Sequence, residues 1–298
     1  MSTTTPVDVR AALAAPDLAQ RVDALGFAPE DAADVLAAAA RVLDRPADLA
    51  AIEAAAVRLA DRVGFLPPSD GSYVWQGLEP DAVGVLPLLA LLVTAPAVAV
   101  FHASRDVPPD VSAATLADLG QQTRVHRLVH GGFGLGTHTW VSGAVWSGAL
   151  YRLGRLQLAL ERQPTVDGTG EEWVLSTHIP RGKGLAPADV DASLAAAPAF
   201  FAERFPEHPA RDVHCHSWML DPRLPELLPG SNLAAFQQRW RTYGEALPGD
   251  EDATFFGFAR RGPLDLEELE AGTSLQRAIV SLWRAGESWH VWNGRLAR

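Results

Sequence analysis

Residues 173–201, WVLSTHIPRGKGLAPADVDASLAAAPAFF, limit the possible folds more than any other stretch of the chain. The β-branched and aromatic content of 173–179 predicts a strand, and Pro180 ends it. Arg181, Gly182, Lys183, Gly184, Leu185 and Ala186 then form a basic, glycine-containing loop. Pro187 suits the first turn of a helix, where a missing N–H costs nothing. A helix is expected over 188–205, with Val190, Leu194, Ala197 and Phe201 on one face. Such a loop turns backbone N–H groups outward at the positive end of a helix, a seat for phosphate or pyrophosphate. The same residues also serve as an ordinary strand-to-helix turn, and this stretch alone supports both readings. Lys183 is the only lysine in the chain.

With 298 residues, 48% hydrophobic and 20% charged, the chain can bury the core of one large domain or two moderate ones. Its net charge of −11 argues against nucleic acid as a partner, because phosphate backbones call for a basic surface. A small anion held by a few local cations remains compatible with that charge. The single cysteine, Cys215, excludes an internal disulfide and a multi-cysteine zinc site and suits a reducing cytoplasm. The first residues, MSTTTPVDVR, carry no basic-then-apolar pattern, so a cytoplasmic location is expected. Residues 82–101 are uncharged and apolar, but they contain Gly84, Pro87 and Pro96 and lack basic flanks. A buried core helix is therefore expected there, and no membrane span.

Residues 8–63 are alanine-rich with helical periodicity. Helices are expected over 9–20 with a break at Pro16, over 32–43 and over 49–63. Another is expected over 112–129 with Ser112 as its N-cap. A helical N-terminal domain over 1–135 follows from this pattern. The glycine-dense run GGFGLG from Gly131 has no strand before it and no surrounding βαβ unit, so it reads as an inter-domain turn. Beyond it, strands are expected over 149–161, 173–179, 212–220, 254–259 and 289–295, with Asp167-Gly168 in a hairpin loop. Helices over 188–205, 232–243 and 274–285 alternate with them. Residues 136–298 thus read as an α/β (α+β) mixed-sheet domain.

Arg181, Gly184 and Ala186 fit R/Q-x-x-G-x-G/A, the pyrophosphate-binding pattern of the GNAT acyltransferases, and Asn232 with Ala235 fits the N-x-x-A that opens a following helix. The chain also resembles a narrower family, acyltransferases with a helical N-terminal domain and a GNAT-like C-terminal domain. The resemblance rests on Asp118-Leu119-Gly120, Gly154-Arg155-Leu156-Gln157, His178-Ile179-Pro180, Ser193-Leu194 with Phe200-Phe201, and Cys215-His216-Ser217-Trp218-Met219-Leu220-Asp221-Pro222. Further on it rests on Ser231-Asn232-Leu233 with Phe236-Gln237 and on Thr273-Ser274-Leu275-Gln276-Arg277-Ala278.

That likeness implies a GNAT-like sheet in which two adjacent parallel strands, here 173–179 and 212–220, splay apart around a thioester. It implies transfer of an acyl group from acyl-CoA or an acyl-carrier protein to the amine of a small molecule or peptide. Residues 181–186 and Asn232 would bind the donor. Transfer needs a base to take a proton from the amine, and imidazole suits that task near neutral pH. His178 and His216 are the candidates. By period two, His214 and His216 share one strand face while Cys215 and Ser217 share the other, and His214 reads as structural. Cys215 offers a possible acylated nucleophile or a thioester-hydrolysing thiol, against direct transfer as the usual GNAT-like route. His178, His214 and His216 lack a carboxylate to complete a ligand set, so no metal is expected. The tyrosine that protonates the leaving thiolate in many GNAT enzymes falls at Arg239 here, leaving Tyr243, Ser231 or water as acid. Trp140, Trp146, Trp173 and Trp218 are candidate pocket walls, and Arg124, Arg127, Arg152 and Arg155 a candidate basic patch. The missing tyrosine, with acidic Asp189 and Asp191 near the phosphate seat, motivates one alternative, a GNAT-like ligand-binding or partner module without catalysis.

Overall fold

Proline punctuation and alanine periodicity carry the first half of the chain into helices. The computed structural model describes residues 7–66, 72–78, 83–165, 167–182, 184–262, 264–267 and 269–297. The chain forms two compact units, Met1–Arg152 with Ala159–Arg162, and Leu153–Leu158 with Gln163–Arg298. In the first unit the expected break near Pro16 separates α1 (Val9–Leu13) from α2 (Leu18–Ala24). Helices α3 (Pro29–Leu43) and α4 (Pro46–Arg62) each begin with proline in the first turn. Helix α5 (Val85–Ser104) is long and apolar enough to cross a membrane, yet Leu88 to Ala95 are all buried, in one core cluster with Val35, Ile52 and Leu59. Its buried Thr94 hydroxyl donates to the Ala90 carbonyl at 2.8 Å, so that oxygen is not left unpaired in the core.

The helix expected over 112–129 is two helices, α6 (Pro109–Leu116) and α7 (Asp118–His130). Ser112 lies inside α6 and caps nothing; its hydroxyl sits 2.8 Å from Nδ1 of buried His102. Gly131 closes α7 with φ +73°. Of the glycines after it, Gly134 serves packing, since a Cβ there would lie 2.2 Å from the Val83 carbonyl oxygen. The segment then forms α8 (His138–Trp140), continued by a π-turn at Val141–Val145.

Six strands form one mixed sheet: β1 (Leu150–Leu153), β2 (Leu156–Pro164), β3 (Glu171–His178), β4 (Asp212–Ser217), β5 (Trp240–Pro248) and β6 (His290–Leu296). Their spatial order is β1-β2-β3-β4-β6-β5, with β4 parallel to β3 and antiparallel to β6. The helices of this half are α9 (Pro187–Arg204), α10 (Leu224–Leu227), α11 (Asn232–Gln237), α12 (Asp250–Phe258) and α13 (Ser274–Arg284).

Four sequence expectations change here. The strand expected over 149–161 is broken by a turn at Gly154, whose φ of +69° suits glycine. The strand from Asp212 stops at Ser217, whose hydroxyl accepts the Met219 N–H at 3.1 Å and starts the 3₁₀ turn Trp218–Leu220. The helix from Asn232 ends at Gln237, and Tyr243 lies on β5, where pairing from Trp240↔Leu296 to Tyr243↔Asn293 outweighs helical preference. The strand expected over 254–259 belongs mostly to α12. That helix has three acids in its first turn, and its Asp250 accepts Trp283 Nε1 at 2.6 Å and Trp289 N at 2.8 Å.

Candidate active site

The parallel ladder between β3 and β4 pairs Val174 with Asp212, Leu175 with Val213 and Ser176 with His214, and goes no further. Both strands continue, β3 to His178 and β4 to Ser217, while β4 stays paired with β6 out to Ser217↔Trp292. The two strands therefore part after Ser176 and His214. Extended by two residues, the same register would set His178 opposite His216, on the face that carries Ser176 and His214. His178 near the end of β3 and His216 near the end of β4 thus both lie beyond the last paired residues.

His216 is exposed, and its Nδ1 lies 2.8 Å from Asn293 Oδ1 on β6. With the amide oxygen as acceptor, Nδ1 carries the proton and Nε2 keeps its lone pair. Asp252 on α12 lies within electrostatic reach of His216; burial raises its carboxyl overall, an effect that a protonated His216 only partly offsets. His178 is half-buried at the end of β3, with its Nε2 atom buried.

The neighbouring His214 has a different setting. It is buried, its Nε2 accepts Arg295 Nε at 3.3 Å, and its Nδ1 lies 3.2 Å from both Gln163 Oε1 and Tyr243 Oη. Accepting from a guanidinium fixes the Nδ1–H tautomer and a neutral ring. Arg295 also reaches Glu172 and Asp212, each at 3.2 Å. Tyr243, held in this network, stands on β5, with β4 and β6 between it and β3. Burial pushes its phenol up.

Cys215 points to the other face and is buried, and burial drives its thiol far above the usual range, away from thiolate. The Ser217 and Ser231 hydroxyls are engaged as helix caps, Ser231 accepting Ala234 N at 3.1 Å. Asn232 follows, exposed, at the start of α11. Among the described residues no group of three or more metal-ligating side chains occurs.

The loop after β3 has the local form its sequence predicts. Pro187 opens α9, and no side chain caps that helix. Arg181, Gly182 and Gly184 are exposed, Leu185 is buried and Ala186 is the N-cap residue; Lys183 lies outside the described residues. A Cβ at Gly182 or Gly184 would meet nothing within 4 Å. Asp191, which as a free acid would oppose a phosphate here, is paired with Arg239 at 2.7 Å, and that hydrogen bond lowers its carboxyl. Arg239 also donates to the carbonyls of Ala235 and Pro187. Sequence reasoning placed Arg239 where a catalytic tyrosine was expected; in the structure it ties α11 to the start of α9.

The four arginines proposed as a basic patch have separate duties. Arg127 binds Glu30, Asp31 and Asp34 on α3, and Arg152 is half-buried near Asp118. Arg155 donates to the carbonyls of Pro180 and Gly184, and Arg124 is exposed. Of the four tryptophans, Trp140 alone lines the cavity of about 660 Å³ in the helical unit, with Phe65, Leu66 and Leu160. Trp146 is fully buried with its Nε1 on Leu91 O and Thr94 Oγ1, Trp173 packs at a tilt against His208 and Trp218 packs on Trp289.

Comparison with known proteins bears on this arrangement. Residues 16–148 match the N-acyltransferase N-terminal domain family, and residues 150–296 match the GNAT-like C-terminal domain family. An acyltransferase solved with decanoyl-CoA is 33% identical over 95% of this chain and 86% of its own, with a TM-score of 0.81. The chain belongs to this family of N-acyltransferases. It is accordingly an acyl-CoA-dependent enzyme with a helical half and a GNAT-like half, as the order of its motifs implied. Similar structures include an acyltransferase with decanoyl-CoA and teicoplanin, at 32% identity over 95% of this chain and 87% of that one, TM-score 0.78. A tryptophan-to-alanine acyltransferase mutant with octanoyl-CoA matches with the same identity and coverage, TM-score 0.80. No curated protein sequence matches the chain.

Proposed function

We propose that the enzyme moves a medium-length acyl group from acyl-CoA to the amine of a peptide-like acceptor, by direct attack in the gap between β3 and β4. The end of the ladder at Ser176↔His214, with His178 and His216 beyond it, carries this reading. An extended amide-bearing arm can lie along strand edges that have lost each other as partners. The thioester would lie between the imidazoles, and the pyrophosphate on the loop of Arg181, Gly182, Lys183, Gly184, Leu185 and Ala186, with Asn232 nearby. His178 or His216 takes the proton from the amine, nitrogen bonds to the thioester carbon, and the carbon–sulfur bond breaks to release CoA thiolate. Buried Cys215 takes no part. Tyr243, tied to His214, is poorly placed as general acid, which leaves water or a protonated imidazole to supply the proton to sulfur.

Likeness to acyltransferases solved with decanoyl-CoA, octanoyl-CoA and teicoplanin supports this donor length and acceptor class. Acyl-CoA is favoured over acyl-carrier protein because the loop suits a pyrophosphate. The test is thiol release from decanoyl-CoA with a panel of amines that includes teicoplanin-like glycopeptides, with product masses measured. Acceptors heavier by one decanoyl group are expected. Thiol release without an acylated amine, or turnover with decanoyl-carrier protein alone, would contradict the assignment.

A further inference from the structure

Gly154-Arg155 forms the turn between β1 and β2, far in sequence from the glycine loop, yet its side chain is built into that loop. Arg155 Nε donates to the Gly184 carbonyl at 3.1 Å and its NH1 to the Pro180 carbonyl at 2.9 Å. A trans peptide sets its C=O and N–H in opposite directions, and none of the described peptides is cis. Drawing those two carbonyls toward the guanidinium therefore turns the N–H groups of Arg181 and Leu185 away from it.

The turn itself is anchored on α9. The Ser193 hydroxyl accepts the Arg155 N–H at 3.0 Å and donates to the Asp189 carbonyl at 2.8 Å. A Cβ on Gly154 would stand 3.2 Å from that oxygen, and Gly154 has φ +69°. One hydroxyl thus fixes the turn to the first turns of the helix whose N-terminus follows the loop.

We infer that Arg155 is a positioning residue for the donor's diphosphate: its two-carbonyl clamp aims the N–H groups of Arg181 and Leu185 at the phosphate oxygens and adds a positive charge behind them. The inference rests on the loop's assignment as the pyrophosphate seat. Gly154, Arg155 and Ser193 then act through the loop and touch no reacting atom.

The test compares calorimetric binding of decanoyl-CoA with that of S-decanoyl-pantetheine, which has the same acyl arm and no pyrophosphate. Arg155→Gln is expected to weaken decanoyl-CoA about ten- to a hundredfold and decanoyl-pantetheine less than about twofold, because charge-assisted bonds are lost only at the phosphate end. Arg155→Lys, which keeps the charge and loses the two-pronged fork, should fall between; it carries the same comparison if Arg155→Gln fails to fold. An equal loss for both donors would overturn the role of Arg155. Equal binding of both donors by the unaltered enzyme would instead overturn the loop assignment beneath it.

Discussion

His214 and His216 stand two residues apart on the same face of the same strand, and the structure treats them oppositely. Around His214 the sheet is closed. Arg295, Gln163 and Tyr243 bind its ring, Glu172 and Asp212 bind Arg295, and the ladder is intact on both sides. At His216 only the β6 side still pairs, Asn293 fixes one ring nitrogen, and β3 has turned away with His178. A buried polar network with each ring nitrogen engaged contributes rigidity and gives a reacting group no access. Where the ladder lapses, the same residue type keeps a lone pair at an open edge. The difference lies in strand pairing, which residue type alone does not reveal.

Substitutions on the two sides should have opposite signatures. Gly184→Glu, on the open side, places a carboxylate where the phosphates would sit; decanoyl-CoA affinity is expected to fall at least about a hundredfold. Its melting temperature should stay unchanged, because a side chain there meets open space. Unchanged affinity by calorimetry would remove the loop from the site.

A closed histidine should show itself through acid. His102 is fully buried, and desolvation lowers its pKa to about 4. A folded-state value below the unfolded one means that the fold favours the neutral ring. Its contribution is complete above the unfolded value near 6.5 and is lost as pH falls toward 4, on the order of 3 kcal/mol. Denaturant titrations at pH 7 and pH 4.5 should show a smaller acid-induced loss in His102→Gln than in the parent chain. Equal losses would assign acid sensitivity to other groups.

His214→Ala leaves Arg295, Gln163 and Tyr243 short of a buried partner and should destabilise the fold by about 2–3 kcal/mol. Donor affinity should be kept in the folded fraction. The smallest expected effect is that of Cys215→Ala: about 1 kcal/mol of stability from a lost buried sulfur, with acyl transfer kept within about twofold. A hundredfold slower enzyme would restore the thiol to the mechanism.

Much of the fold was legible because its signals are local. Prolines 16, 29, 46 and 187 mark helix boundaries, and the apolar run in α5 reads as core. Misreadings arose where pairing partners distant in sequence decide. Phe236 and Trp240 are spaced like a helix face, yet Trp240 pairs with Leu296 on β6. Phe255 and Phe256 suggest a strand, yet α12 is held by Asp250 through Trp283 and Trp289. Of the candidate site, the strand positions of His178 and His216 and the strand–loop–helix order around 181–186 were readable from the sequence. Asn293 and the clamp by Arg155 were not, because both act across long sequence separations. Arg155 had a visible signal, its place in the Gly154-Arg155-Leu156-Gln157 motif, but nothing in the sequence pointed to carbonyls 25 and 29 residues away.

The most direct test is the single-turnover rate of acyl transfer from decanoyl-CoA in the double variant His178→Gln/His216→Gln, with donor affinity measured alongside. If the open gap is the reaction centre and its imidazoles supply the base, the rate falls about 10²–10⁴-fold while affinity holds within about twofold. A rate within about threefold of the parent enzyme would place the chemistry elsewhere.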